Sequence, residues 1–240
     1  MSAYQNFVRN VSNFIFGMEC LGCGCPWSKL DPWLCKDCAA QLGREAKGAV
    51  KPGEDVYSLF LMRPLTRRLI HSLKYKGLSG MASYLVKKSL KENPELKQEM
   101  DSLPKPLYFV PVPLHKARYR ERGYNQAEKF AAALAAVFGG KVCKWVRRQN
   151  FKVSQTKLSR EQREWNVAGA FAPSLPAGIP HRGTVVVVDD VYTTGATTSA
   201  CASAFGKNFP LEVKVCTLLY DQPATATADF VADVQAPWNW

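Results

Sequence analysis

One segment near the C-terminus constrains the fold of this chain more than any other. Residues 185–198 run from four consecutive valines through two aspartates into a turn rich in threonine. An uninterrupted run of valines is typical of a strand buried on both faces, as in parallel sheets. The turn around Gly195 leads into residues 200–205, which suit a helix. Ligands of open α/β sheets bind at the carboxyl ends of the strands, so the segment predicts a binding site at this turn.

The residue types in the turn favour a phosphorylated sugar as the ligand. Backbone N–H groups and threonine hydroxyls at a helix N-terminus bind phosphate. The preceding carboxylates, Asp189 and Asp190, can accept hydrogen bonds from sugar hydroxyls. A turn with a purely structural role does not need two adjacent carboxylates followed by four threonines around a glycine. The pattern resembles the signature of the type I phosphoribosyltransferases, which bind phosphoribosyl pyrophosphate (PRPP).

Length and hydropathy favour a soluble α/β protein with a small accessory module. The 240 residues suffice for one substantial domain, and no apolar run approaches the roughly 18 to 20 residues that span a bilayer. Near the N-terminus, Phe7, Val11, Phe14 and Ile15 are spaced like one face of a helix. Polar residues interrupt this face and no cleavage site follows, so we expect a cytoplasmic protein.

The net charge of +12 is concentrated in the middle of the chain. Residues 115–163 contain thirteen Lys or Arg and three Glu, whereas residues 221–240 contain three Asp and no Lys or Arg. A basic region is expected where a protein holds a diphosphate or contacts nucleic acid. A solvated basic face is the alternative.

Five of the eight cysteines lie between residues 20 and 38, in a pattern typical of a zinc module. Cys20 and Cys23 form one CxxC pair, Cys35 and Cys38 form a second, and eleven residues separate the two pairs. Two such turns can place four thiolates around one zinc ion, which leaves no open position for chemistry and predicts a structural role. Cys25 either replaces Cys23 as a ligand or stays free. Redox chemistry is the alternative, but the thioredoxin-like βαβ pattern that it requires is missing from the sequence.

The remaining chain alternates strand and helix patterns, which predicts a parallel sheet flanked by helices. We expect an N-terminal helix with a four-cysteine zinc-binding module over residues 1–48, and the α/β domain over residues 49–240. The predicted strands are residues 56–62, 107–113, 142–146, 185–188 and 212–219. The predicted helices begin at Pro64, Met81 and Ala127, and Gly77 is expected to cap the end of the first. A basic loop of residues 114–126 follows the second strand and predicts a second anion site.

The order of motifs along the chain resembles ComF-type proteins, which are phosphoribosyltransferase-like proteins associated with bacterial competence and DNA uptake. The matching motifs are the cysteine-rich start, His-x-Leu-Lys-Tyr-x-Gly at 71–77, Pro-Val-Pro-Leu-His-Lys-x-Arg at 111–118, Arg-Gly-Tyr-Asn-Gln at 122–126 and Val-Asp-Asp-Val-Tyr-Thr-Thr-Gly-Ala-Thr at 188–197. Gln155, Leu158, Arg163 and Asn166 are also similar to the family. The resemblance covers about residues 20–219, and the extra Cys25 departs from it.

This resemblance implies a type I phosphoribosyltransferase-like fold and a role for each matching position. The ribose of PRPP would contact Asp189 and Asp190. The 5′-phosphate would be bound by Thr193, Thr194, Gly195, Ala196, Thr197 and Thr198. The pyrophosphate would be bound by Val112, Pro113, Leu114, His115, Lys116, Arg118 and Lys74. Mg²⁺ would accompany the diphosphate, and residues 152–163 would form a loop that closes over the sugar.

Two functions remain open at this point. The resemblance implies a PRPP-binding protein of natural competence, which handles incoming single-stranded DNA in the cytoplasm with other competence proteins. The alternative is an active phosphoribosyltransferase that acts on an unidentified nucleobase or amine in nucleotide metabolism. His71 and His115 are candidate acids or bases for such a reaction, but no segment identifies an acceptor. A transcriptional regulator is a weaker option, because no helix-turn-helix pattern is found.

Overall fold

The computed structural model describes residues 19–25, 31–47, 55–78, 80–149 and 169–222. Its helices are α1 Lys36–Lys47, α2 Pro64–Tyr75, α3 Gly80–Glu92, α4 Pro94–Ser102, α5 Lys116–Arg122, α6 Gln126–Phe138 and α7 Ala196–Ser203. Its strands are β1 Val56–Leu61, β2 Leu107–Pro111, β3 Lys141–Val142, β4 Val146–Arg148, β5 Phe171–Pro173, β6 Thr184–Tyr192 and β7 Glu212–Tyr220. The predicted N-terminal helix and the predicted closing loop at 152–163 lie outside the described residues.

Five strands form one parallel sheet in the order β1-β7-β6-β2-β3, and β4 pairs with β5 in a separate antiparallel ribbon. The valine run lies in β6, at the centre of the sheet, between β7 and β2. Helices connect the parallel strands, as such crossovers require. The predicted parallel α/β sheet flanked by helices is therefore confirmed.

The valines of β6 are buried on both faces of the sheet, as their uninterrupted run predicts. Val186 and Val188 belong to the core that β6 shares with α3 and α6. Val185 and Val187 belong to the opposite core, together with Cys201 of α7. All four are fully buried. Each such side chain contributes roughly 1.5 to 3 kcal/mol of hydrophobic stabilisation.

Local signals in the sequence set the starts of two helices. Pro94 occupies the first turn of α4, and the side chain of the preceding Asn93 accepts a hydrogen bond from the Leu96 N–H. Asn125 caps α6 in the same way, because its side chain accepts a hydrogen bond from the Ala127 N–H. Asparagine favours this position since its oxygen pairs with an N–H that has no partner within the helix.

Several predicted boundaries differ in the structure. The basic loop contains helix α5, which ends at Gly123 with a φ of 74°. The strand predicted at 142–146 is divided, because the chain leaves the sheet at Cys143 and Trp145 turns to pack on Tyr108 with ring centroids 4.8 Å apart. Strand β6 continues past the valines to Tyr192, so the aspartates belong to the strand itself.

The cysteine-containing segment packs onto the α/β core. Leu34 and Leu42 are fully buried in the same hydrophobic cluster as residues of α3 and β1. The predicted domain boundary at residue 48 stays a prediction.

None of the described helices combines the length and the apolar character needed to cross a membrane.

Candidate functional site

A candidate binding site, which we call the cleft, lies at the carboxyl ends of β2 and β6. The two strands are parallel neighbours in register, with Pro111 opposite Val188. One residue further on, the Val112 N–H donates a hydrogen bond of 2.8 Å to the Val188 carbonyl. The segment that follows β2 and the aspartates of β6 therefore begin side by side.

Asp190 is the centre of the polar contacts in this cleft. Its Oδ2 lies 2.6 Å from the Lys74 Nζ, in an ion pair whose side chains are only 14% and 21% exposed. The Gln126 Nε2 donates to the same oxygen across 3.4 Å. The three side chains come from β6, α2 and α6, so tertiary structure alone brings them together.

The two aspartates have opposite pKa shifts, although they are adjacent in sequence. Burial raises the pKa of Asp189 well above its ordinary value, and the charge of Asp190 raises it further. Burial also acts on Asp190, but the Lys74 ammonium and its hydrogen bond outweigh it and hold the pKa of Asp190 below its ordinary value. The cleft thus holds one firmly ionised carboxylate beside one that resists ionisation.

The turn between β6 and α7 exposes the groups predicted to bind phosphate. Thr193, Thr194 and Thr197 are exposed or partly exposed, whereas the Thr198 hydroxyl is buried and donates to the Gly195 carbonyl across 3.0 Å. Gly195 has a φ of 78°, and a Cβ there would collide with the Tyr192 hydroxyl. Only glycine fits this position without strain.

A cationic helix, α5, flanks the cleft on the side of β2. The His115 Nδ1 accepts a hydrogen bond of 3.2 Å from the Ala117 N–H at the start of α5, and Lys116, Arg118 and Arg120 are exposed. At the other end of α5, the Arg122 guanidinium lies 5.2 Å from the centre of the Tyr75 ring on α2.

The predicted pyrophosphate residues therefore divide into two groups. Lys74 contacts Asp190, and Val112 is hydrogen-bonded to β6. By contrast, no hydrogen bond or ion pair within the described ranges joins His115, Lys116 or Arg118 to the aspartates. These three side chains are exposed to solvent.

Two polar residues were given no role from the sequence: Gln126, which contacts Asp190, and Arg148, which lies on the separate β4–β5 ribbon. Gln126 belongs to a motif recognised in the sequence, but that motif gave no role for it. Arg148 lies on β4, where its guanidinium is 5.3 Å from the centre of the Phe171 ring. Burial lowers the pKa of Arg148, the charge of Arg118 lowers it further, and Asp189 opposes the shift.

A second candidate site is a cluster of thiols from Cys20, Cys23, Cys25 and Cys35, whose sulphurs all lie within 4.8 Å of one another. The Cys23 Sγ is 3.2 Å from that of Cys25 and 3.8 Å from that of Cys35. Four sulphurs at tetrahedral zinc distances are separated by about 3.8 Å, so the cluster fits such an ion. These four cysteines can hold a metal.

Hydrogen bonds connect the thiols of this group, and neighbouring cysteines shift the pKa values of Cys23 and Cys25. The Cys20 Sγ accepts hydrogen bonds from the N–H groups of Gly22 and Cys35, at 3.3 and 3.2 Å. A hydrogen bond from the Cys25 backbone is the main cause that lowers the pKa of Cys23, and the neighbouring Cys23 raises the pKa of Cys25 to about 12.

Three of the four predicted ligands belong to this group, and Cys25 joins them where the sequence favoured Cys38. Cys38 is buried beside the group, and its pKa is raised first by burial and then by the thiols of Cys35, Cys20 and Cys23. The choice of Cys38 as a ligand stays a prediction.

Similarity to known proteins adds a second line of evidence. The chain is 30% identical to the DNA utilization protein YhgH of Salmonella typhi over 195 residues, which cover 77% of this chain and 83% of that protein. It is 33% identical to YhgH of Escherichia coli K12 over 154 residues, 62% of this chain and 65% of that protein. Competence protein F of Haemophilus influenzae is 32% identical over 112 residues, 46% of this chain and 48% of that protein. No protein-family model matches the chain.

Proposed function

The chain belongs to the ComF family, which includes DNA utilization protein YhgH and competence protein F, and from this premise we propose that it is a PRPP-binding, phosphoribosyltransferase-like protein that acts in the uptake or use of DNA. One observation carries the PRPP part of the proposal. An ionised carboxylate, Asp190, lies beside a cation and a phosphate-type turn at the carboxyl ends of two parallel strands. This is where ligands bind in open α/β sheets.

The ribose of PRPP is assigned to Asp189 and Asp190. The lowered pKa of Asp190 keeps it an acceptor for a sugar hydroxyl near neutral pH. The raised pKa of Asp189 gives the pair a group that either accepts or donates, depending on its protonation.

The 5′-phosphate is assigned to the turn of residues 193–198. The first turn of α7 has N–H groups without helical acceptors, and its dipole favours an anion. The accessible hydroxyls of Thr193, Thr194 and Thr197 surround this helix terminus. The positive φ of Gly195 sets the backbone path that leads into the helix.

The diphosphate with its Mg²⁺ is assigned to the opposite side of the cleft. Lys74 is already within reach of Asp190, and Lys116 and Arg118 are exposed next to the Val112 segment. If the protein is an active transferase, these cations neutralise the pyrophosphate as it leaves the ribose C1, and Mg²⁺ supplies further charge neutralisation when bound.

The DNA part of the proposal rests on the relatives and on α5. Helix α5 presents Lys116, Arg118 and Arg120 to solvent, in a region of the chain with a large excess of positive charge. Such exposed cations suit the phosphates of single-stranded DNA. We also propose that the metal of the cysteine cluster is structural zinc, because four thiolates leave no open coordination position.

Calorimetric titration with PRPP and Mg²⁺ tests the ligand. We expect binding by the wild type, and binding at least about tenfold weaker after Asp189→Asn with Asp190→Asn, since hydrogen bonds to a charged group are lost. Asp55→Asn is the matched control. Asp55 also pairs with a lysine at 2.6 Å, but at the start of β1, the opposite edge of the sheet.

Two results would overturn the PRPP assignment. Wild-type protein that gives no heat with PRPP and Mg²⁺ removes the ligand, and unchanged affinity in the double aspartate variant removes the ribose contacts. A screen for pyrophosphate release with nucleobases and amines then decides between a binding protein and an active transferase.

Salt dependence of single-stranded DNA binding tests the second part. If six to ten phosphates are contacted, affinity should fall by roughly three to five decades between about 50 and 200 mM salt. Arg118→Ala with Arg120→Ala should reduce the slope of that dependence by about two. Lys87→Ala with Lys91→Ala, which removes the same charge from α3, should leave it unchanged. An affinity independent of salt would contradict a role of α5 in DNA binding.

A further inference from the structure

Three consecutive residues, 124–126, each make a long-range hydrogen bond to a different wall of the cleft. The three bonds run from the Tyr124 hydroxyl to the Leu73 carbonyl, from the Asn125 Nδ2 to the Val112 carbonyl at 3.0 Å, and from the Gln126 Nε2 to the Asp190 Oδ2 at 3.4 Å. Leu73 precedes the lysine that pairs with Asp190, and Val112 begins the segment that leads to α5. One short segment therefore contacts α2, the end of β2 and β6.

Gln126 is buried in a way that stability alone does not explain, whereas both the oxygen and the nitrogen of the buried Asn125 amide have partners. Asn125 is 4% exposed and Gln126 is 2% exposed. The Gln126 Oε1 is buried and has no hydrogen-bond partner among the residues that the structure describes. A buried carbonyl without a partner lowers stability, and an apolar side chain of similar size avoids that loss.

The two residues also have a rigid support. Asn125 caps α6 and Gln126 is its first residue. Phe130 and Leu134 of the same helix are buried in the main core. The two amide groups are thus held at a fixed separation, one directed at the end of β2 and the other at the end of β6.

We propose that Asn125 and Gln126 are positioning residues that hold the diphosphate side and the ribose side of the PRPP cleft in register. This inference rests on the proposed function. The Asn125 side chain donates to the Val112 carbonyl and so fixes the point at which the chain leaves β2 toward α5. Gln126 is a second donor to the oxygen that Lys74 contacts, so Asp190 keeps its orientation when the lysine turns toward the diphosphate.

Gln126→Leu separates positioning from a structural role. Leucine has a similar volume and removes both the donor to Asp190 and the unpaired oxygen. We expect PRPP to bind about tenfold more weakly or worse, with a melting temperature equal to or above that of the wild type. A merely structural glutamine predicts the opposite, a lower melting temperature with unchanged affinity.

Asn125→Ser tests the second residue, and the chain contains a matched control. Serine keeps the capping oxygen of the helix but cannot reach the Val112 carbonyl. Asn93 has the same arrangement at α4, where its side chain caps the helix and its Nδ2 donates to the Ala46 carbonyl across 3.4 Å. We expect Asn125→Ser to weaken PRPP binding about tenfold and Asn93→Ser to leave it unchanged, with similar small losses of stability in both.

The outcomes of this experiment are distinct from those that test the proposed function. Binding by the wild type together with unchanged affinity in Gln126→Leu and Asn125→Ser overturns the positioning roles and leaves the PRPP assignment intact. Equal weakening by Asn93→Ser and Asn125→Ser also overturns them, because the effect then follows stability. A wild type that does not bind PRPP overturns the proposed function and this inference with it.

Discussion

The cysteine cluster and the aspartate cleft both gather ionisable side chains, but by different means. The four clustered cysteines lie within residues 20–35, and two N–H groups of the same stretch donate to the Cys20 sulphur. The cleft takes Lys74, Gln126 and Asp190 from segments that are distant in the sequence. The cluster is therefore assembled by local turns, whereas the cleft exists only once the sheet has formed.

The two regions also differ in what their polar groups do for the fold. A bound metal in the cluster would stabilise the folded chain, because the thiolates gain a partner that they lack when unfolded. In the cleft, Asp189 has a raised pKa and Gln126 has a buried oxygen without a described partner, and both lower stability. Under the proposed function, the cluster would serve folding and the cleft would be maintained for binding at some expense in stability.

The largest expected effect is the loss of the cluster's metal. Cys25→Ala should abolish stoichiometric zinc binding and lower the melting temperature by at least about 10 °C. A structural zinc ion contributes many kcal/mol to the free energy of unfolding. In a chain of this size, each kcal/mol that is lost lowers the melting temperature by about 2 to 4 °C. Metal analysis and calorimetry measure both quantities. Cys38→Ala should keep the metal, since Cys38 lies outside the group of four.

The opposite result is equally informative. If Cys38→Ala loses the metal and Cys25→Ala keeps it, the ligands are Cys20, Cys23, Cys35 and Cys38, as the two CxxC pairs predict. Freshly purified protein without any bound metal would remove the stabilising role of the cluster.

The next effect compares one glycine from each region. A Cβ on Gly22 would lie 2.7 Å from the Cys38 Sγ and 2.8 Å from the Leu65 Cδ1, and a Cβ on Gly195 would meet Tyr192 at a positive φ. Each substitution to alanine should lower the unfolding free energy by about 2 kcal/mol. At Gly22 the cause is the close contacts with Cys38 and Leu65, and at Gly195 it is the contact with Tyr192 together with backbone strain.

The two glycine variants should separate the two functions. We expect Gly22→Ala to reduce zinc content and leave PRPP affinity unchanged, and Gly195→Ala to do the reverse. Denaturant unfolding, metal analysis and calorimetric titration on the same preparations measure all three quantities. Loss of both functions in either variant would mean that the regions are coupled.

The smallest effect concerns the aspartates, whose pKa shifts predict opposite stability changes. The pKa of Asp190 is lowered on folding, so its stabilising contribution is present above its unfolded pKa of about 3.9 and is lost as the pH falls through the folded pKa. The pKa of Asp189 is raised, so its ionisation destabilises the protein progressively as the pH rises above about 4 toward the folded pKa.

At neutral pH we therefore expect Asp190→Asn to lower the unfolding free energy by about 1 to 2 kcal/mol and Asp189→Asn to raise it by a similar or smaller amount. Denaturant unfolding between pH 4 and 8 measures both. Equal destabilisation by the two variants would contradict the asymmetry between them, and with it the view that the cleft is maintained at the expense of stability.

Much of this architecture was predictable from local patterns. The valine run predicts the central strand, and the Asn-Pro at 93–94 predicts a break between helices because proline lacks the N–H that continues a helix. The cationic helix was missed, since a run of charged residues without an apolar stripe has no periodicity to reveal it. The division of residues 141–148 between two sheets was also missed, because it depends on the packing of Trp145 against Tyr108.

Residue types and their order were enough to identify the groups that can bind ligands. These are the paired carboxylates before a threonine-rich turn, a basic segment and clustered thiols. Which of these groups meet depends on tertiary packing. Packing pairs Lys74 with Asp190 and adds Gln126 to them, whereas the turns within residues 20–35 bring Cys25 to the other thiols. Residue type and spacing set what a side chain can bind, whereas distances between remote segments depend on strand order and helix packing, which single positions do not encode.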